Sequence, residues 1–449
     1  MDETMKVGLI SVGFPNFRYD IAQEYLDKSL KRLEGEGHHI ISCGQVLIEE
    51  NGIYDELERL RLAHIDLLIL QCGTYSYGSG MMKVIELFEH TPLLMWGFPE
   101  PIIEGFYGLP LNSLCGLNMY GSFLEKVEKK YSYVYGSIDD EGVYTTINHT
   151  IKAIDVRNRL KKSKFCIIGG RVPGFYLSNA DEIRFRQEIG PELVYYSLAS
   201  LLEDMKNVDE TQVAEEIAKM KGEVAKVTTT DEMLEKSARL YLAIMAYKEA
   251  KGIDAFAIKC WPEFQSLLRC SVCGVVSRLN NLGIMTACEG DVTGLATMYI
   301  QHLITDGPCF LADLVNVNAQ GIAKTWHCGP APVCMARDAS TTEYREHPTI
   351  KQGMGFSVEF KMKLGRLNML KLKEAKHTYK LFMAAGEGVE EDRHMVANQA
   401  DIRFDVPMTQ VLDCIMTHGI EHHYAIVYED IQAVLVEFCK WMGIKVVTP

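Results

Sequence analysis

The chain has 449 residues, which is too long for one hydrophobic core, so the sequence predicts several domains. Hydrophobic residues make up 47% and charged residues 24%, a balance typical of globular enzymes. The net charge of −14 argues against nucleic acid as a partner, because phosphate binding requires clustered Lys and Arg. No apolar run reaches the length of about 18 residues that a membrane helix needs, so no membrane partner is expected.

The amino terminus and the cysteines indicate the cellular compartment in which the protein is expected. The opening sequence MDETMKVGLISVGF lacks the layout of a secretory signal. Thirteen cysteines with irregular spacing do not predict a disulfide framework. The single Cys-x-x-Cys pair, Cys270 and Cys273, has no second pair at zinc-site spacing. We therefore expect a cytoplasmic protein with reduced thiols.

The first 160 residues alternate predicted strands and helices. The strands, beginning with KVGLISVGF at residues 6–14, are continuous apolar runs, which indicates a parallel sheet covered on both faces. Ligands of such sheets bind beyond the carboxyl ends of the strands. The loops VGFPNFR, QCGTYSYGSG and WGFPEP are therefore a predicted binding rim. This region is the predicted N-terminal α/β domain, residues 1–160.

A second strand–helix cycle begins at SKFCIIGGRVPGF and predicts a central α/β domain over residues 161–305. From about residue 306 the pattern changes to short alternating segments separated by turn residues. The cationic residues that alternate there with Met and Leu, as in strands with one buried face, are Lys361, Lys363, Arg366 and Lys371. The predicted fold class is thus α/β, with two successive parallel-sheet Rossmann-like domains followed by a β-rich, barrel-like domain over residues 306–449.

Four predicted strand ends carry carboxylates or imidazoles. These residues are Glu263 in KCWPEF, Glu289 and Asp291 in CEGDV, His327 in TWHCGPAP, and His422 and His423 in GIEHHYAIVYEDI. Taken singly, each has an ordinary alternative, such as helix capping for the acids or a structural role for the histidines. Together, oxygen and imidazole donors suit a divalent ion such as Mn²⁺, with Mg²⁺, Co²⁺ or Fe²⁺ as alternatives.

The motifs KCWPEF, CEGDVTGLATMYI, WHCGPAP and GIEHHYAIVYEDI stand in this order, and through them the chain resembles the L-fucose and L-arabinose isomerase superfamily, in particular its shorter fucose isomerase-like branch. The resemblance covers essentially the whole chain. The metal ligands that it implies are Glu263, Glu289 or Asp291, His327 and His423. Adjacent strand residues point to opposite faces, so His423 is expected to face the ion, while His422 faces away or hydrogen-bonds nearby.

The resemblance implies a metal-dependent aldose–ketose isomerase that moves a proton between C1 and C2 of a sugar through an ene-diolate. Glu263 and the acidic residue of EGD, Glu289 or Asp291, would then carry the proton. A hydride shift without a base is an alternative within the same reaction class. The implied cofactor is Mn²⁺ or a similar divalent ion, and the implied assembly is a homo-oligomer, a trimer or hexamer.

The resemblance also implies sugar contacts at Trp96, Asn118 and Tyr120, often across a subunit interface. Arg18 and Arg171 lie near predicted strand ends and are either surface charges or substrate contacts. If they face the pocket, an anionic sugar such as a sulfonated or phosphorylated hexose becomes an alternative substrate. Two other classes stay open: a sugar-binding protein without turnover, and a lyase or aldolase that uses the same metal chemistry.

Overall fold

The computed structural model describes residues 5–349, 354–376, 378–392 and 395–449. The chain divides into two compact units, Met1–Asp155 and Val156–Pro449. The predicted central and β-rich regions both lie within the second unit, and their separation into two domains stays a prediction. The mixed α/β architecture, with parallel sheets followed by a large mixed sheet, confirms the predicted fold class.

The first unit is built on one parallel sheet. Its elements are β1 (Lys6–Val12), α1 (Tyr19–Gly35), β2 (His39–Ile41), β3 (Val46–Leu47), α2 (Glu50–Leu62), β4 (Leu67–Cys72), α3 (Gly78–Leu87), β5 (Leu93–Gly97), α4 (Ser113–Lys126), β6 (Ser132–Tyr135) and α5 (Glu141–Lys162), the last of which ends in the second unit. The strand order is β2-β1-β4-β5-β6, and β3 also pairs with β1. All residues of β4 and β5 are buried, as their continuous apolar sequences predict.

The second unit begins with four parallel strands and continues into a mixed sheet. Its first elements are β7 (Lys164–Ile168), α6 (Glu182–Glu188), β8 (Glu192–Tyr196), α7 (Leu198–Lys206), α8 (Glu210–Gly222), β9 (Lys226–Val227), α9 (Asp231–Lys251), β10 (Ala255–Ile258), α10 (Cys273–Asn281), β11 (Thr286–Ala287) and α11 (Val292–Thr305). The parallel sheet has the order β11-β10-β7-β8. Local sequence sets the helix ends: the Thr230 side chain accepts from the N–H of Met233 at the start of α9, and Gly252 ends it at φ +62.

The remaining elements contain a closed barrel. They are β12 (Phe310–Val317), β13 (Ala323–His327), β14 (Glu343–Glu346), β15 (Phe356–Lys361), β16 (Gly365–Glu374), β17 (Tyr379–Val389), β18 (Asn398–Phe404), α12 (Met408–His418), β19 (His423–Val427), α13 (Gln432–Met442) and β20 (Lys445–Val447). Strands β12, β13, β18, β17, β16 and β19 pair antiparallel in a ring, because β17 pairs with both β16 and β18. Buried residues of these strands, among them Met369, Ile402 and Ile426, share one hydrophobic cluster. The predicted barrel is therefore present.

Two further sequence expectations concern membranes and thiols. Within the described ranges, none of the helices combines the length and apolar character needed to cross a membrane. All thirteen cysteines carry free thiols, in agreement with the absence of a disulfide pattern in the sequence.

The packing of α10 on β15 depends on the absence of a side chain at Gly274. A Cβ added there would overlap the buried ring of Phe356. We expect Gly274→Ala to destabilise the fold by about 1–3 kcal/mol through overpacking, measured as a lower thermal unfolding midpoint. The matched control is Gly222→Ala at the end of α8, where no atom lies within 4 Å of the added Cβ. An unchanged midpoint for Gly274→Ala would contradict this account of the contact.

Candidate active site

A strained turn between β11 and α11 presents the first acidic residues. Glu289 has φ +60, a left-handed conformation that is uncommon for a residue other than glycine. Gly290 follows at φ +66, and its N–H donates to the carbonyl of Ile258 at the end of β10. A Cβ on Gly290 would lie 2.5 Å from the carbonyl oxygen of Gly170. The EGD turn is thus held closely against the loop that follows β7.

Asp291 caps α11, and each of its two carboxylate oxygens accepts two hydrogen bonds. Its Oδ1 accepts from the N–H of Gly294 at 2.8 Å and from the Thr293 hydroxyl at 3.0 Å. Its Oδ2 accepts from Lys371 Nζ and from His423 Nδ1, both at 2.9 Å. Burial alone would raise the pKa of Asp291, but the charges of Lys371 and His423 outweigh burial and hold it well below its usual range. Asp291 is therefore an ionised residue that orients its neighbours.

His423, the first residue of β19, joins the barrel to the EGD turn. It lies directly opposite Asp313 of β12 in the strand register. Its Nε2 is 3.1 Å from Glu289 Oε2 and 3.5 Å from Asp313 Oδ1, yet it makes no hydrogen bond within the described part of the chain. Burial alone would lower the pKa of His423, but the hydrogen bond to Asp291 and the carboxylate of Glu289 raise it to about 9.

Further buried polar atoms near His423 also lack partners. His327 Nε2 and Asp313 Oδ1 have no hydrogen-bond partner among the described residues, and the His327 ring centroid is 6.0 Å from that of His423. Burial opposes protonation of His327, but negative charge on Cys328 and Asp313 raises its pKa to about 10. Buried polar atoms are nearly always satisfied. Two imidazole nitrogens and carboxylate oxygens are a donor set that fits a divalent ion of the Mn²⁺ type.

His422 lies next to His423 at the cavity, and its expected role there, facing away or hydrogen-bonding nearby, stays a prediction. The strand begins only at His423, so the alternation rule does not reach His422. The two imidazole centroids are 4.3 Å apart. One ring nitrogen of each histidine and a carboxylate oxygen of Glu289 all lie within 4.8 Å of one another. Burial and the neighbouring His423 lower the pKa of His422.

Glu263 lies just before a short π-helical turn, Phe264–Leu268. Its Oε1 accepts from Lys259 Nζ at 2.6 Å, while its Oε2 is buried without a hydrogen-bond partner within the described ranges. The same segment reaches the EGD turn, because Trp261 Nε1 donates to Glu289 Oε1 at 3.2 Å. Glu263 is not one of the three residues whose ligand atoms lie within 4.8 Å of one another. Its predicted role as a metal ligand stays a prediction.

A cavity of about 290 Å³ opens beside these residues. It is lined by residues 174–178 together with Asp291, Lys371, Glu421, His422 and His423. Phe175 places its ring edge-on to both Trp261 and His422, at centroid distances of 5.8 and 5.9 Å. The guanidinium of Arg171 lies 4.7 Å above the ring of Tyr176, so this predicted substrate contact stands next to the cavity wall.

Three residues of the site are not among the site residues predicted from the sequence: Asp313, Lys371 and Glu421. The alternation in β16 suggests a solvent-facing lysine at position 371, yet its side chain is only 1% exposed. Its Nζ contacts Asp291 Oδ2 at 2.9 Å and Glu421 Oε2 at 3.1 Å. Burial opposes the charge of Lys371, but the two carboxylates raise its pKa. A cation alternating with apolar residues has the same pattern whether its partner is water or a buried carboxylate.

The other predicted sugar contacts lie in the first unit. The structure corrects their placement on a rim: Trp96 and Tyr120 are core residues, because β5 and α4 bury them among apolar neighbours. Arg18 is exposed and pairs through both Nε and Nη2 with Asp20. Asn118 is exposed and lines a groove of about 920 Å³ within this unit. Of these four residues, Asn118 keeps the most favourable position for contact with a ligand.

Comparison with known proteins adds a set of full-length relatives. No protein-family model matches the chain. The sulfoquinovose isomerase of Priestia aryabhattai is 25% identical over 438 residues, which cover 97% of each chain. That of Alkalicoccus urumqiensis is 27% identical over 384 residues, 85% of this chain and 86% of its own. That of Clostridium sp. (strain MSTE9) is 26% identical over 447 residues, 98% of each chain.

Similarity to solved structures is weak. The glucose-galactose binding protein GanP of Geobacillus stearothermophilus is 12% identical, with a TM-score of 0.19 over 68% of this chain and 93% of its own. A solute-binding protein from Agrobacterium vitis, bound with α-D-tagatopyranose, is 9% identical, with a TM-score of 0.17 over 57% of this chain and 76% of its own. TM-scores this low do not establish a shared fold. The full-length relatives, in contrast, indicate that the chain is an enzyme of the isomerase class, an intramolecular oxidoreductase.

Proposed function

We propose that this protein is a divalent-metal-dependent aldose–ketose isomerase that moves a proton between C1 and C2 of a sulfonated hexose. The observation that carries the proposal is the buried imidazole of His423. Its Nδ1 is held by Asp291, while its Nε2 lies beside Glu289 without a hydrogen-bond partner in the described chain. The name of the full-length relatives, sulfoquinovose isomerase, supports the reaction and the substrate class.

The hydrogen bonds favour one division of roles between the two acids of EGD. A carboxylate that holds one nitrogen of a metal-binding histidine fixes the ring and leaves the other nitrogen for the ion. We therefore assign Asp291 as the orienting carboxylate and His423 Nε2 as the ligand atom. Glu289 is then the acidic ligand, a choice that the sequence leaves open. His327 Nε2 and Asp313 Oδ1, both without partners, would complete the donor set with Glu263.

The oxygen and imidazole donors favour Mn²⁺, with Mg²⁺ or Co²⁺ as alternatives. When bound, such an ion supplies positive charge that stabilises the developing negative charge on the sugar oxygens.

Glu289 is the carboxylate best placed to take and return the proton, because its strained turn and the Trp261 N–H fix its direction. Glu263, with one unpartnered oxygen, is the second candidate for this step. A positioned acid or base typically contributes about 10²–10⁴-fold to the rate.

The charges around the cavity favour Arg171 as the contact for an anionic group. The Lys371 ammonium is already neutralised by Asp291 and Glu421. The Arg171 guanidinium donates through Nη1 to the carbonyl of Val172 at 3.1 Å, and it has no carboxylate partner among the residues the structure describes. Arginine carries five N–H donors in a planar fork that suits anions with several oxygens. A sulfonate at this position would therefore find free donors.

We also retain the proposals that the enzyme is a cytoplasmic homo-oligomer, a trimer or hexamer. A neighbouring copy would offer a use for the exposed Asn118 groove, since the resemblance places sugar contacts of this region across a subunit interface.

Metal removal is the first test of this proposal. Chelator treatment is expected to abolish isomerisation of the sulfonated hexose, and Mn²⁺ is expected to restore it, because the unpartnered donors need a cation. Circular dichroism of the treated protein serves as the control that the fold survives. Full turnover by protein shown to be metal-free would contradict the proposal.

The histidine pair gives the second test. His423→Ala should lose Mn²⁺ and nearly all activity, because it removes a ligand nitrogen. His422→Ala should keep the ion and lose about 10–100-fold in kcat/KM, as supporting residues typically do. Metal content and kinetics of the purified variants decide the matter, with His418→Ala in α12 as the control. Loss of the ion in His422→Ala but not in His423→Ala would reverse the assignment.

Substrate discrimination gives the third test. Arg171→Ala should lower kcat/KM for sulfoquinovose about 10–100-fold, the scale of a lost charge-assisted hydrogen bond, and should change turnover of glucose far less. Arg18→Ala is the matched control, because its guanidinium is exposed and already paired with Asp20. Equal losses for the charged and the neutral sugar would show that Arg171 does not contact the sulfonate.

A further inference from the structure

We propose that the second unit contains another metal site, formed by Cys273, Cys328 and His347 and suited to a thiolate-preferring ion such as Zn²⁺. The proposal does not depend on the isomerase reaction, because none of its three ligands belongs to the donor set described above. One sulfur of each cysteine and one ring nitrogen of the histidine all lie within 4.8 Å of one another.

Two of the three distances between the ligand atoms are close to the edges of a small tetrahedron. Cys273 Sγ is 3.5 Å from Cys328 Sγ and 3.3 Å from His347 Nε2. With Zn–S bonds of about 2.3 Å and Zn–N bonds of about 2.05 Å, tetrahedral geometry requires an S–S edge of about 3.8 Å and an S–N edge of about 3.6 Å. The observed edges are shorter by only a few tenths of an ångström, whereas a disulfide would need its sulfurs about 2.05 Å apart.

The candidate site is largely shielded from solvent. Cys273 and His347 are buried, and Cys328 is half-buried, so an ion can reach the site from the Cys328 side. If both cysteines bind as thiolates, the ion supplies the positive charge that buried anions require. The Thr349 N–H donates to His347 Nδ1 at 3.3 Å and the Thr349 hydroxyl lies 3.5 Å from the same nitrogen, so Thr349 holds the ring with Nε2 toward Cys273 Sγ.

The ligands come from three segments that are distant in sequence. Cys273 begins α10, Cys328 follows β13, and His347 follows β14. An ion bound here would tie these segments together beside His327, whose ring nitrogen Nδ1 is 3.3 Å from Cys328 Sγ. The Cys-x-x-Cys pair of the sequence does not act as a unit, because the Cys270 sulfur contacts Ser237 Oγ at 3.6 Å instead.

The two metal sites would select different ions. Thiolates prefer Zn²⁺ and similar soft ions, while carboxylates with imidazoles also accept Mn²⁺. Cobalt is therefore a useful probe for the thiolate site, since only Co²⁺ bound to sulfur gives an intense thiolate-to-metal absorption in the near ultraviolet.

The experiment adds Co²⁺ to reduced, metal-free full-length protein and follows this absorption. The wild type is expected to show the band and to lose it when Zn²⁺ is added. Cys273→Ser and Cys328→Ser should each abolish the band and lower the Zn²⁺ content by one equivalent. Cys270→Ser, at a buried cysteine three residues from Cys273, is the matched control and should keep the band.

Further variants separate this proposal from the isomerase proposal. His423→Ala should keep the thiolate band although it loses Mn²⁺, and Cys328→Ser should keep Mn²⁺ binding. Cys328 is half-buried, so its substitution provides a folded variant if Cys273→Ser fails to fold. Absence of the band in the reduced wild type would overturn the proposal, and so would persistence of the band in Cys328→Ser.

Discussion

The buried ionic contact of Asp291 with Lys371 and His423 is the interaction on which the rest of the site depends. Removing three charged groups from water is costly unless each finds partners in the interior. Here Asp291 Oδ2 accepts from both cations, and Glu421 supplies a second carboxylate to Lys371. Since Lys371 and His423 belong to the barrel and Asp291 to the α/β region, the contact fixes the EGD turn against the barrel. The direction of His423 Nε2 follows from it.

The closed barrel supplies the rigidity that this arrangement requires. Strands β12, β13 and β19 are neighbours in the ring; Asp313 lies within β12, His327 ends β13 and His423 begins β19. A shift of one residue in their register would turn these side chains to the opposite face. Ring closure removes the free edges along which strands of an open sheet can slip. The positive φ of Glu289 is strained, and such strain is concentrated at functional sites, whereas Gly290 adopts a positive φ without strain.

Two clusters of ligand-type residues thus lie side by side in the second unit, and their chemistry differs. Oxygen and imidazole donors surround His423, while thiols surround His347. His327 and Cys328 are neighbours in the chain, so the loop after β13 contributes to both clusters. A soft and a hard site in one region would bind their ions separately, because ligand type and geometry select the ion in the two cases. The thiol cluster would then stabilise the loop that holds His327.

The sequence by itself determined the class of the fold and the segments of the site. Continuous apolar strands, strand–helix cycles and alternating segments predict the parallel sheets and the barrel, because these signals are local and periodic. The positions of Glu289, Asp291, His327 and His423 at strand ends follow from the same signals. Only the tertiary structure decided which atoms meet. Lys371 and Glu421 carry no local mark of burial, Trp96 and Tyr120 are covered by elements distant in sequence, and the place of His422 depends on where β19 begins. Such contacts arise when segments distant in sequence pack together. The periodic pattern of one segment does not show which residues of another segment will pack against it.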